Sequence, residues 1–333
     1  MVYSLFTCAR NWTDKGVYTI LIFFLPRSGF VQQPKADKSM DTQHVKELVI
    51  ISGKGGTGKT SLMAAFSSLA EDKVLCDADV DAADLHLILH PNVIRRSDFQ
   101  SGKKAVINPK LCTECGLCRE MCRWNAIGDA YEIKAMDCEG CGVCVHFCPE
   151  AAIEFPENTC GQWFVSDTRC GPMVHAHLGI AEENSGKLVT LVRQESRKLA
   201  AENRHALILT DGPPGVGCPV VASIGGATAV LIVAEPTVAG QHDMLRVAQL
   251  AAHFQTPALV CVNKFDLNLG LTREIEKYAA EQGIVCLGCI PFDPVFTQAM
   301  IQARTIFEYA GHSAAGEAVR VVWQGLSDML GLE

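Results

Sequence analysis

Gly53-Lys54-Gly55-Gly56-Thr57-Gly58-Lys59-Thr60 reads G-x-x-x-x-G-K-T, the spacing of a phosphate-binding loop. Glycines there let backbone N–H groups curl around phosphate oxygens. The Lys59 ammonium would reach the terminal phosphates, and the Thr60 hydroxyl would bind magnesium. Loops of this kind work only between a strand and a helix. The run Glu47 to Ser52 is apolar enough for a buried parallel strand. Ser61 to Glu71 follows as a helix, with Ser61 in the turn whose free N–H groups face the phosphates.

A second set of residues is suited to a different chemistry. Cys112, Cys115, Cys118 and Cys122 are spaced C-x2-C-x2-C-x3-C, and Cys138, Cys141, Cys144 and Cys148 repeat that spacing, with Pro149 after the last. Ala126-Ile127 and Ala152-Ile153 trail the two quartets at matching offsets. Zinc sites pair two hooks per ion. Three close cysteines plus a fourth instead match the bacterial two-cluster ferredoxin pattern, in which the fourth cysteine serves the other cubane. Cys112, Cys115, Cys118 and Cys148 are therefore expected to hold one [4Fe–4S] cluster, and Cys138, Cys141, Cys144 and Cys122 the other. Arg123 stands where the second repeat has proline, which puts a cation near the second cluster.

Lys54 makes the loop K-G-G-T-G-K-T, which resembles the deviant Walker A of the MinD/ParA/nitrogenase-iron-protein group. Val74 to Asp79 resembles that family's second strand and first switch. Leu207 to Gly215 resembles its Walker B strand and second switch, and Val260 to Asp266 ends a strand in N-K-x-D. The resemblance implies that Lys54 crosses a dimer interface to the partner's nucleotide, and that Asp79 positions the attacking water. It also implies that Asp77 and Asp211 join Thr60 around magnesium, and that Asn263, with Asp266, meets the base. Lys54 favours ATP over GTP. Cys218 lies in the second switch, at the offset where the nitrogenase iron protein binds a cluster shared between subunits. A bridging ligand and a small residue before a Pro-started helix both remain open for it.

The elements that must position these residues alternate. Apolar strands are expected at 47–52, 73–78, 206–211, 228–234, 257–263 and 284–290. Helices are expected at 60–71, 187–203, 238–254, 271–282 and 313–330. That alternation predicts an α/β fold, a doubly wound, mainly parallel sheet with ligands at the carboxyl ends of the strands. Residues 41–102 and 158–333 would form the ATPase domain, and 103–157 the inserted ferredoxin domain. Residues 1–40 read as a poorly structured extension, with Met40 as a candidate true start. Thr237 is a natural helix N-cap, and His175 and His177 read as packing or surface residues. Cys286 and Cys289 form a C-x-x-C on the last strand, where strand packing and a redox or metal role both stay open.

The chain has 333 residues and 16 cysteines, with a net charge of −8. Disulfide frameworks belong to short secreted chains, so a reducing cytoplasm and metal or redox chemistry are expected. A nucleic-acid coat should be basic, and no apolar run is long enough to span a membrane. Arg320 is the only Lys or Arg after Ala314, which disfavours membrane docking by the last helix. The combined resemblance, over about 45–333, implies a nucleotide-dependent homodimer that binds ATP, magnesium and two [4Fe–4S] clusters. ATP-gated electron transfer to a redox partner is the leading expectation. An iron–sulfur carrier serving a client protein, as in Mrp-type ATPases, and a positioning or regulatory switch are the alternatives.

Overall fold

Apolar residues at successive positions mean a strand buried on both faces, and β1 (Lys46–Ser52) shows it. Leu48 and Ile50 pack into a core on one side of the sheet, while Val49 and Ile51 pack into a second core on the other. The computed structural model of the chain describes residues 45–179, 182 and 186–332. The expected extension at 1–40 lies outside them.

After β1 come α1 (Lys59–Leu69), β2 (Lys73–Asp77) and α2 (Leu85–Leu89). A long strand, β3 (Asn92–Lys103), leads into a small lobe. The lobe contains β4 (Val106–Ile107), α3 (Leu117–Met121), α4 (Val143–His146) and β5 (Ile153–Glu154). The chain returns through β6 (Glu157–Thr168) and β7 (Gly171–Leu178) to α5 (Lys187–Asn203). Then follow β8 (Leu207–Pro214), α6 (Cys218–Ile224), β9 (Ala229–Ala234), α7 (Val238–His253) and β10 (Ala258–Asn263). The chain ends with α8 (Leu269–Glu281), β11 (Val285–Ile290), α9 (Val295–Ile301), α10 (Ile306–Ala310) and α11 (Ala314–Leu330).

The main sheet runs β11-β10-β9-β1-β8-β2-β7-β6-β3. It is parallel from β11 to β7, and β6 and β3 extend it antiparallel. This bears out the expected α/β, mainly parallel sheet. α1 and α11 supply the first core, and α6, α7 and α8 the second. α5 closes a third against β2, β7 and β8. Thr237 does cap α7, its side chain accepting from the Gly240 N–H.

β3 and β6 form the stem of the lobe, two-stranded only between Gly161 and the lobe, where β7 no longer pairs. They pair from Asn92↔Asp167 to Lys103↔Glu157, and β4 and β5 pair immediately beyond it. The lobe at its end has its own small core, centred on Ala105, Cys118, Ile127 and Ile153. Arg95 anchors the stem, lying 4.8 Å over the Trp163 ring and pairing with Glu195 of α5 at 2.8 Å.

Candidate functional site

The nucleotide motifs meet at one end of the parallel strands. β1 delivers the loop 53–58, and α1 starts directly behind it. Gly58 lies in the left-handed region at φ +90, and a side chain there would run into the Asn263 amide. At Gly53 a Cβ would fall onto Asp243 of α7, so only glycine lets the loop pass that helix.

Lys59 is 6% exposed, and its ammonium bridges two carboxylates, Asp211 Oδ1 at 2.6 Å and Asp79 Oδ2 at 3.0 Å. Burial opposes that charge, but Asp211 and then Asp79 outweigh it and hold the Lys59 pKa above the ordinary value. Asp77 ends β2 and stands in register with Asp211 of β8. Burial, and then the charge of Asp211, push its carboxyl well up. Burial also raises Asp79, with Lys59 acting against the rise.

Three buried side-chain oxygens among the described residues have no hydrogen-bond partner: Thr57 Oγ1, Asp77 Oδ2 and Asp79 Oδ1. Buried polar groups are normally satisfied. Three orphans beside one phosphate loop fit a site that completes itself with a hydrated cation and a nucleotide.

Lys54 is 40% exposed and pairs with Glu235 within its own chain, at 3.2 Å. Lys264 holds the other oxygen of Glu235 at 2.5 Å and donates to the Gly56 carbonyl at 2.8 Å. Burial works against the Glu235 carboxylate, but hydrogen bonds from Lys264 and Lys54 prevail and keep its pKa below normal.

Asn263, expected at the base, touches the phosphate loop. Its side-chain amide donates to the Thr57 carbonyl at 2.7 Å, and its oxygen accepts from the Lys264 N–H. It therefore braces the phosphate loop, while Asp266 accepts from the Phe292 N–H at 2.7 Å. Sequence reasoning did not find Glu235 or Lys264 as a loop clamp. The lysine of N-K-x-D was the available signal. Ser61 sits in the first turn of α1, its hydroxyl 3.0 Å from the Met300 sulfur. Cys218 is exposed at the first residue of α6.

The lobe repeats one local structure twice. Gly116 and Gly142 adopt left-handed φ values of 84 and 71 before α3 and α4. Each helix carries the third cysteine of its quartet, Cys118 or Cys144. The fourth follows the helix, and its sulfur accepts a backbone N–H, from Ala126 to Cys122 and from Ala152 to Cys148, both at 3.4 Å.

Two small cavities, of about 20 Å³ each, result. Cys112, Cys115, Cys118 and Cys148 line the first. Cys122, Cys138, Cys141 and Cys144 line the second, with Trp124 and Phe155. Burial raises the thiol pKa of Cys118 and Cys144, and neighbouring cysteines of each quartet add to it. Thiols with raised pKa values lose their protons readily only to a metal. No three His, Cys, Asp or Glu side chains among the described residues are grouped so as to hold a metal ion. The thiols line the cavity walls.

Comparison with known proteins adds a family. The model of the CobQ/CobB/MinD/ParA nucleotide binding domain matches residues 48–306. An uncharacterized protein of Methanocaldococcus jannaschii is 29% identical over 290 residues, covering 86% of this chain and 98% of that one. Another from the same organism is 27% identical over 248 residues, covering 69% and 87%. Among solved structures, the septum site-determining protein MinD of Pyrococcus horikoshii, complexed with Mg-ADP, superposes with TM-score 0.51 at 15% identity, over 86% of this chain and 98% of that one. A complex of Cyanothece McdA with ATP gives 0.51 at 17%, over 87% and 98%. At those identities the structures establish a shared fold.

Proposed function

The chain belongs to the family of CobQ/CobB/MinD/ParA nucleotide-binding domains, and on that premise we propose that it is an ATP-hydrolysing dimeric switch. Its lobe is a ferredoxin domain for two [4Fe–4S] clusters, and the switch gates electron transfer to a partner protein. Adenine nucleotide is supported by the Mg-ADP and ATP of the two structural neighbours.

The chain's own residues divide the work of hydrolysis. The loop N–H groups and the start of α1 bind phosphates, and Lys59 leaves Asp79 and Asp211 to meet the terminal ones. Thr60, Asp77 and Asp211 would hold magnesium. Asp79, released from Lys59, orients the attacking water. Lys54 exchanges Glu235 for the nucleotide of a second subunit, and Lys264 keeps Glu235 neutralised. Such catalysis is mainly positioning and charge stabilisation, so basal turnover is slow.

One observation carries the redox part: the fourth cysteine of each quartet lines the cavity of the other triplet. This crossed arrangement is the one bacterial two-cluster ferredoxins use. Bound clusters would supply low-potential one-electron chemistry there.

The test is metal analysis of anaerobically purified protein with an ATPase assay. About eight irons and about eight acid-labile sulfides per chain are expected, four per cluster, with slow turnover that Lys59→Ala removes. Stoichiometric zinc without a visible chromophore would overturn the ferredoxin reading. The exposed thiol of Cys218 favours a second reading, a cluster carrier. Iron above about eight per chain that disappears in Cys218→Ser would select it.

A further inference from the structure

A bulge in the last strand sets two thiols side by side, away from the quartets. β11 pairs with β10 through Val260↔Cys286, Cys261↔Gly288 and Val262↔Cys289, so the register slips between Val260 and Cys261. In a regular strand, residues three apart point to opposite faces. The extra residue reverses that parity. Cys286 and Cys289 consequently pack on one face, with Val260, Val262 and Ile275, whereas Leu287 and Ile290 pack on the other. Gly288, at φ +152, supplies the backbone shape.

Both thiols are partly exposed, and the Cys286 sulfur donates to the Gly288 carbonyl at 3.9 Å. The Cys289 sulfur also donates to Glu276 Oε1 of α8 at 3.5 Å. A purely packed pair would need neither a carboxylate on one sulfur nor an inverted strand parity to bring the sulfurs together.

We propose that Cys286 and Cys289 form an oxidisable dithiol that closes to a reversible disulfide, with Glu276 as its proton acceptor. The oxidant is hydrogen peroxide. The Cys286 sulfur attacks the peroxide, the O–O bond breaks, and Cys286 becomes a sulfenic acid with release of one water. The Cys289 sulfur then attacks that of Cys286. The S–S bond forms, the S–O bond breaks, and the hydroxide leaves. The Cys289 proton passes to Glu276 and on to the hydroxide, which departs as a second water. Two thiols and one hydrogen peroxide thus give a disulfide and two waters.

The order of attack follows from the environment. The Cys286 side chain, and then burial, keep the Cys289 thiol protonated, and a thiolate rather than a thiol is the first nucleophile. The bridge would join positions equivalent to i and i+2 along a strand, about 6.6 Å apart at about 3.3 Å per residue. Disulfide Cβ atoms lie only about 3.5–4.5 Å apart, so closure must draw the bulge together, and the bridge is strained and easily reduced.

Trypsin makes the test specific, because peptide 278–304 contains Cys286 and Cys289 and no other cysteine. The intact protein is treated with hydrogen peroxide, alkylated with iodoacetamide and digested. The expected peptide is lighter by two hydrogens, resists alkylation, and recovers both thiols after dithiothreitol. In Cys289→Ser, Cys286 should be trapped by dimedone as its sulfenic acid. Glu276→Gln should slow closure several-fold while leaving the thermal midpoint in place. Full alkylation of both cysteines after peroxide, or their linkage to another peptide, would overturn the proposal. So would a Glu276→Gln variant that closes at the parent rate.

Discussion

His175 shows how burial sets the chemistry of a single residue beside the first switch. It lies in β7, which is hydrogen-bonded to β2, and its Nε2 is 2.9 Å from the Ser166 hydroxyl. Its ring stacks on Phe164 at 5.0 Å, and the His86 ring of α2 lies parallel at 6.5 Å. Burial, and then His86, lower its pKa to about 4. A group whose folded pKa is depressed contributes stability that is complete above its unfolded pKa, near 6.5. That contribution is lost as pH falls through the folded pKa of about 4. The linkage amounts to about 3 kcal/mol at most. Thermal midpoints measured from pH 7 to pH 4 should fall more steeply for the parent than for His175→Phe, which cannot titrate. Parallel curves would show that His175 takes no part in acid unfolding. The sequence read His175 as a packing or surface residue, because no metal-spaced acid accompanies it, and burial in β7 selects packing. The contact of Asn263 with Thr57 was not legible, because it depends on how closely β10 and the phosphate loop approach.

Elements buried on both faces were the readable ones. Continuous apolar runs at 47–52, 228–234 and 257–263 lie in strands of the parallel sheet, since such runs have few other ways to leave water. β3 carried no comparable signal. Its sequence NVIRRSDFQSGK is exposed along most of its length, and the ladder to β6 rather than a hydrophobic face holds it in place. The phosphate loop illustrates a different dependence on neighbours. Its Gly53 is needed because α7 passes so close that a Cβ would meet both the side chain and the backbone of Asp243. Gly53→Ala should fold with a stability loss of about 1–3 kcal/mol, the usual range for overpacking. It should also bind ATP more weakly, because the loop must move off the helix. Gly55→Ala has open space and provides the comparison. If both variants bound ATP alike, contact with α7 would not position the loop.

Across the whole molecule, the stem joins the two halves of the proposed chemistry. β7 is bonded to β2, whose last residue is Asp77, and β6 and β3 continue from β7 to the cysteine lobe. On the other side, α5 receives Arg95 of the stem through Glu195. Arg193 of the same helix pairs with buried Glu47 of β1 at 2.7 Å. It also donates to the Gly225 carbonyl at 2.9 Å, at the end of the helix that follows the second switch. Both switches are therefore bonded to elements that carry the lobe. If nucleotide moves either switch, the lobe's environment changes, and the two sites share a coupling free energy. Such coupling is reciprocal and is typically about 1–3 kcal/mol. For one electron that is roughly 40–130 mV, at about 59 mV per tenfold change. Redox titrations of Asp79→Ala, chosen to stop turnover, should show midpoints separated by that amount between ATP and ADP. ATP affinity should change by the same free energy on reduction. Adding Arg95→Ala cuts the link between stem and α5 and should shrink the separation without altering ATP affinity in the oxidised protein. Midpoints indifferent to nucleotide, together with an ATP affinity indifferent to reduction, would remove thermodynamic gating. The cysteine lobe would then act on its partner independently of the ATPase that carries it.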